Sequence, residues 1–471
     1  MSGPISLEPG DAGQDTLALR LAAPRPPRRR PRWALDDATL AIRLPGPGPD
    51  EEAVSTLAAE LADAIGPAVH PYEVAALLEA EGLSATVIKE RYGHPNLFSL
   101  ATALYQRVPR TFPEPPRPAD PWRPDTLRCL LRGVLFALPA LAYLLTAPLW
   151  AVDRHAPVLI VAGIASWAWG QALGHRAHLR LVTGRREASG TLLTGSLLGA
   201  AAATALAALP GAGALALAVA AAQSLYLAGA SVLLVLARER LLLAALSPLI
   251  AGAAVLPWWE PGPELRVGLP LLALLATLGA AGRVLWAGRA GPASADAVRP
   301  PLRASVPYGL FGLAAAVLVM LEGRRQPYAV IALTLSMGPA EWLLYRYRGW
   351  SVAALRVSAT PAGFLLRSTA VLGLCLTGYL SLLLPAALLT GSDPVTLLLL
   401  AAALWTALLL QAFGVAWPPA VLCLAAAGPA GAVLLLDLPP GPPVLPWACG
   451  VAAVCLAVCA TRLLGRPSPH S

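Results

Sequence analysis

The sequence predicts an all-α polytopic membrane protein with about twelve transmembrane helices, preceded by a small cytoplasmic helical bundle. Three observations predict it. Hydrophobic residues make up 56% of the 471 and charged residues 13%, about half the roughly 25% charged share of a soluble domain. The apolar residues fall into runs of roughly 20, the length a helix needs to cross the hydrocarbon layer at about 1.5 Å per residue. Arginines gather at the ends of those runs. Backbone inside a bilayer finds no water to bond, so each run is read as a helix.

The same charge pattern excludes a nucleic-acid partner. A net charge of +8 would invite one, but basic residues that flank apolar segments are what orients a membrane protein. The partner expected from composition is the lipid bilayer. Lys89 is the one lysine, and the Ala, Arg and Pro bias is that of a high-GC bacterial genome. Cys129, Cys375, Cys423, Cys449, Cys455 and Cys459 lie in or beside apolar runs without CxxC spacing, and read as small buried hydrophobes. No HExxH, GxSxG or Walker A pattern occurs, so no metal, cofactor or catalytic set is expected. The first 30 residues hold no apolar stretch of signal-peptide type, so no cleavable leader is expected.

In chain order, residues 1–48 contain RPPRRRPR and GPGP. A segment so rich in Pro and Arg cannot bury a core and is expected to be disordered; its arginine run could meet anionic head groups. Residues 49–108 change character. Asp50, Glu51 and Glu52 open a helix whose apolar positions are Val54, Leu57, Leu61 and Ile65, with acids at the positive end of the dipole. Pro71 opens a second helix that stops at Gly82. A third carries Val87, Ile88 and Tyr92 and stops at Gly93. A fourth follows Asn96, an N-cap residue type. Four short helices make a small cytoplasmic domain suited to docking a protein partner. His70 and His94 each precede a proline and read as turn residues.

The pattern YEVAALLEAEGLSATVIKERYG followed by NLFSLATALYQR, together with the MGPAEW element at 337–342, resembles a family of uncharacterised integral membrane proteins of high-GC bacteria. The resemblance implies a multi-pass membrane fold and brings no chemistry with it.

Residues 109–127 are a Pro-rich spacer. Twelve apolar segments follow: 129–150, 156–173, 189–209, 212–236, 240–258, 266–287, 305–322, 327–345, 364–389, 394–414, 416–436 and 443–464. The polar stretch after the sixth divides them into a first half (128–288), a linker (289–304) and a second half (305–464), with a tail at 465–471. That 6+6 layout resembles secondary transporters and lipid-linked-sugar flippases in architecture alone. Arginines crowd the ends on the side of the head, as at Arg176, Arg180, Arg185, Arg186, Arg346 and Arg348. The opposite ends carry Arg154, Arg266, Arg324 and Arg325. Both termini are therefore expected in the cytoplasm of a plasma-membrane protein.

Within the segments, polar side chains and proline breaks mark possible translocation paths. The candidates are Gln223, Ser224, Glu341, Thr377, Ser381 and Gln411, with Thr377 and Ser381 four apart on one helix face. Glu341 is the sharpest. It lies five residues before Arg346, just after Gly338-Pro339, where the helix is expected to break. Two readings stand: a coupling or gating carboxylate, or a structural ion pair with Arg283, Arg346 or Arg367. The leading function is transport or flippase-like export of an envelope-related substrate. A non-enzymatic scaffold that recruits a partner through the head is the alternative, and an integral-membrane transferase comes third, for want of converging catalytic residues.

Overall fold

The computed structural model describes residues 49–109, 123–150, 152–209, 211–293, 300–391, 393–435 and 444–466. The disordered arm expected at 1–48, most of the Pro-rich spacer, the middle of the 289–304 linker, the loop at 436–443 and the end of the tail lie outside them. The described residues are all helical, without a strand. They fall into two compact units, one within 49–109 and one within 123–466.

The first unit contains α1 (Pro49–Glu60), α2 (Ala62–Ile65), α3 (Pro71–Ala80), α4 (Ala85–Tyr92) and α5 (Leu97–Arg107). One apolar cluster holds them, with Val54, Ile65, Val74, Leu78, Ile88, Leu100 and Leu104 buried. The helix starts are capped by side chains that accept backbone amides: His70 from Tyr72, Ser84 from Val87 and Asn96 from Ser99. His70 is thus a cap. Gly93 ends α4 in the left-handed region at φ 69°, and a Cβ there would lie 2.9 Å from the Asp50 carboxylate. Glycine is needed there both for its conformation and for space. The helix expected from Asp50 through Ile65 is interrupted at Leu61, where the backbone leaves helical geometry.

The second unit begins with α6 (Thr126–Ala137) and α7 (Ala140–Thr146), bent at Pro139. It continues with α8 (Val152–Thr183), α9 (Arg185–Ala208), α10 (Ala214–Val235), α11 (Glu239–Val255) and α12 (Pro263–Arg289). After the linker come α13 (Val306–Arg325), α14 (Pro327–Leu335), α15 (Met337–Val357), α16 (Pro361–Leu389), α17 (Pro394–Ala412), α18 (Trp417–Leu435) and α19 (Val444–Leu464). Among the described residues, nine helical segments are long and apolar enough to cross a membrane. Three expected spans are not among the nine. Residues 240–258 fold as α11, which is 17 residues long. The expected span at 416–436 is represented by α18, whose apolar part is the shorter stretch Trp417–Val433. Residues 327–345 are divided at Ser336 into the nine-residue α14 and a 21-residue α15 that runs on through Arg346, Arg348 and Arg356.

The break at Ser336 differs in kind from the one the sequence predicts at Gly338-Pro339. Pro339 sits in the first turn of α15, where a missing amide costs little because that amide would have no intrahelical partner. The Ser336 hydroxyl instead donates to Leu333 O at 2.7 Å and meets the Tyr379 hydroxyl at 2.9 Å.

The buried apolar cores separate along the chain. One cluster runs from Phe311 to Leu464; two others lie between Leu135 and Leu285. Where helices from the two sets meet, small residues set the distance. A Cβ on Gly133 of α6 would fall 2.7 Å from Leu335 O and 2.9 Å from Gly338 N, and a Cβ on Gly338 would fall 2.7 Å from Cys129 O. The backbones of α6 and α15 therefore touch, as helices in lipid do where small residues face each other.

Candidate functional site

That close approach places Arg132 of α6 against Glu341 of α15. The Arg132 Nη1 donates to Glu341 Oε1 at 2.5 Å. The same guanidinium donates through Nε to Glu239 Oε1 at 2.9 Å, and its Nη2 lies 2.7 Å from that oxygen as an ion pair. Arg128, one turn earlier on α6, donates Nε to the same oxygen at 2.9 Å. Two guanidiniums thus hold two carboxylates from the starts of α11 and α15. Arg132, Glu239 and Glu341 are buried. The group carries no net charge, which is the condition under which burial of ions is tolerated. Arg132 uses its planar fork, and a lysine could not reproduce that geometry. Neighbouring bonds hold α15 in place: Trp405 of α17 donates Nε1 to Ala340 O at 3.2 Å, and Trp342 donates Nε1 to the Thr126 hydroxyl at 3.2 Å.

Glu341 also lines a cavity of about 250 Å³. Its wall comes from α6, α8 and α10 on one side and from α13 to α17 on the other. Apolar side chains dominate, among them Phe136, Trp167, Phe311, Met320, Leu404 and Trp405. The polar members are Gln171, Gln223, Thr334, Glu341 and Tyr379. A second cavity of about 630 Å³ lies among α7, α10, α11 and α12, lined by Tyr143, Thr146, Trp150, Tyr226 and Pro270 among others. Gln223 and Leu227 line both cavities. The Gln223 amide is fixed there, accepting from the Tyr143 hydroxyl at 2.8 Å and donating to Leu159 O at 3.4 Å.

The structure distributes the sequence candidates unevenly. Glu341 and Gln223 share the first cavity. Ser224 is buried beside it and receives the Ser166 hydroxyl at 3.3 Å. Gln411 is buried in α17 but does not line the cavity, and its Nε2 has no partner. Thr377 and Ser381 are exposed on α16. They lie on the wrong side for a path, because two residues along a helix turn the side chain by about 200° and the residue facing the cavity is Tyr379.

The ion-pair expectation also requires correction. The partner of Glu341 is Arg132, not Arg283, Arg346 or Arg367. Arg346 is five residues on, about 140° around the helix, and stacks over Trp342 with 4.8 Å to the ring centre. Arg367 donates to the Ser358 hydroxyl at 3.4 Å, and Arg283 is exposed on α12. Arg132, Arg128 and Glu239 were missed as site residues. The available signal was Arg132 itself, a charge inside the first apolar run.

The six cysteines carry no disulfide, and no group of metal-ligating side chains occurs among the described residues. Comparison with protein-family models, with curated proteins and with solved structures finds no match to this chain.

Proposed function

We propose that the chain is a multi-pass membrane transporter of flippase-like design, moving an envelope-related substrate with an apolar tail. The observation that carries this reading is the cavity between the two sets of helices, apolar over most of its wall and bounded by Glu341 and Gln223. A wall of this kind suits a hydrocarbon chain, with a few polar groups to orient the attached head. Transporters place such sites between halves that rock against each other. The segregated apolar cores support two halves, and the charged quartet supplies a contact between them that is specific in geometry.

In this reading α11, the α14–α15 pair and α18 join the nine apolar helices as crossings, making twelve. Arg128, Arg132, Glu239 and Glu341 then share one membrane side, as the expected alternation of spans requires. The excess of arginine there supports a cytoplasmic placement for both termini in the plasma membrane.

The test is reconstitution into vesicles with a fluorescent polyprenyl-phosphate sugar in both leaflets, followed by chemical quenching from outside. The expected result is faster loss of the protected signal with the protein, abolished by Ala315→Phe, which fills the cavity, while the purified variant stays monodisperse. Rates equal to protein-free vesicles, or an unaffected Ala315→Phe variant, would remove the reading.

A second reading has its own observation. In the head, Tyr72 and Phe98 are 68% and 56% exposed and pack edge to face at 5.7 Å beside His70. An exposed aromatic pair on a small bundle favours recruitment of a protein partner. Under that reading, Tyr72→Ser with Phe98→Ser abolishes co-purification of a partner and leaves vesicle transport untouched.

A further inference from the structure

Away from the cavity, α8, α9 and α12 converge at a pocket of about 460 Å³ that has no part in the proposed transport path. Its wall brings together Arg176 and Arg180 from α8, Arg186 from the first turn of α9 and Arg289 from the last turn of α12, against one carboxylate, Glu187. Arg176, Arg186 and Arg289 bring like charge to one mouth. Arg185 and Arg186 stand in the first turn of α9, the end of a helix dipole that disfavours cations. Arg176 donates Nη1 to Pro300 O at 3.0 Å, a bond to a neutral carbonyl that orders the side chain at the mouth. An anion seated in the mouth would relieve each of these terms at once, and arginine forks suit phosphate oxygens in particular.

The surroundings decide what carries that phosphate. Leu197 lies eleven residues on from Arg186, on nearly the same side of α9 and roughly 16 Å deeper at 1.5 Å per residue. Leu197 and its neighbour Leu198 are 60% and 63% exposed. On α12, Trp286 sits one turn in from Arg289 and is 80% exposed. A basic mouth continued by an uncovered apolar strip fits a molecule with a phosphate head and a hydrocarbon tail. A free phosphate would use the mouth alone.

We infer that the Arg176–Arg180–Arg186–Arg289 pocket binds the phosphate head group of an anionic membrane lipid, with the acyl chains laid along α9. The inference needs these helices to stand in a bilayer and does not depend on transport.

The experiment is native mass spectrometry of the full-length protein in neutral detergent, titrated separately with phosphatidylglycerol, phosphatidylcholine and inorganic pyrophosphate. Phosphatidylglycerol is expected to bind in preference to phosphatidylcholine. The exchange Arg186→Gln with Arg289→Gln is expected to weaken that binding about tenfold, while Arg356→Gln with Arg462→Gln, which removes two exposed arginines elsewhere, leaves it unchanged. If the pocket pair does not purify, Arg289→Gln alone is read for a smaller loss in the same direction. Equal binding of the two lipids overturns the inference, as does equal loss in the control pair. Pyrophosphate binding as tight as the lipid, with the same sensitivity to Arg186 and Arg289, reassigns the pocket to soluble phosphates and overturns the lipid assignment.

Discussion

Arg132 is the side chain on which the most interactions converge. It bonds two carboxylates from different helices while 9% exposed. Its loss would leave Glu341 without a charged partner in an apolar setting, and Glu239 with Arg128 alone. Breaking a buried pair by removing one member costs about 3–5 kcal/mol, so Arg132→Gln is expected to lower the thermal midpoint in detergent sharply. Arg128→Gln is the internal comparison: that side chain is 43% exposed, and its removal is expected to cost about 1 kcal/mol or less. Equal midpoints for the two variants would contradict the buried quartet. Sequence reading found Glu341 as an anomaly and chose its partner by proximity along the chain. The true partner is 209 residues away. A pairing of that kind is made by helix packing, which the linear pattern does not encode.

Among helices, the crossing of α6 and α15 depends on Gly133 and Gly338. Each lacks room for a Cβ because backbone atoms of the other segment stand 2.7 Å away, and backbone cannot swing aside as a side chain does. Gly133→Ala and Gly338→Ala are each expected to destabilise by about 1–3 kcal/mol and to weaken the Arg132–Glu341 bond. Gly279→Ala and Gly373→Ala, in helix interiors with nothing within 4 Å of the added carbon, are expected to be neutral or to stabilise by about 0.5–1 kcal/mol. A further case is the start of α17, where Asp393 accepts from Val395 N at 3.1 Å and from the Thr396 hydroxyl. That hydroxyl bond, helped by the amides of the helix start, holds the carboxyl below its ordinary range. A depressed folded pKa means the stabilisation is complete above the unfolded carboxylate pKa and is lost as pH falls through the folded one. Asp393→Ala is expected to cost about 0.5–2 kcal/mol at neutral pH, and the difference from wild type is expected to shrink in acid. A gap that stays constant down to strongly acidic pH would count against the cap. Element identity was legible where a run was long and uninterrupted, as in α13, α16 and α19. It was less so in 327–345, because hydropathy does not reveal a bond such as Ser336 to Tyr379 that stabilises a break.

At the scale of the molecule, the two sets of helices are joined by the packing of α8 on α13, where His175 stacks on Tyr308 at 3.8 Å and Gly312 lies against Gln171 and Ala168, together with the charged quartet and the glycine crossing. A chain cut within residues 294–299 is therefore expected to yield two fragments that co-purify when expressed together, with recovery falling when Arg132→Gln is introduced. Fragments that fail to associate in the wild type would show that the covalent linker holds the sets together. The cavity was not readable from the sequence, since Gln171, Gln223, Thr334 and Tyr379 reach it from four helices and no spacing rule relates them.

Gln223 and Leu227 line both cavities, and the Gln223 amide is held by the Tyr143 hydroxyl at 2.8 Å and by Leu159 O at 3.4 Å. Freeing the Gln223 amide is therefore expected to ease passage between the compartment beside the quartet and the compartment beside Trp150. Tyr143→Phe, which removes the hydroxyl and keeps the ring, is expected to leave the fold intact and to raise any leak between them. A vesicle assay of passive probe entry reads that leak directly, and an unchanged rate in Tyr143→Phe would mean that the partition is held closed by packing alone.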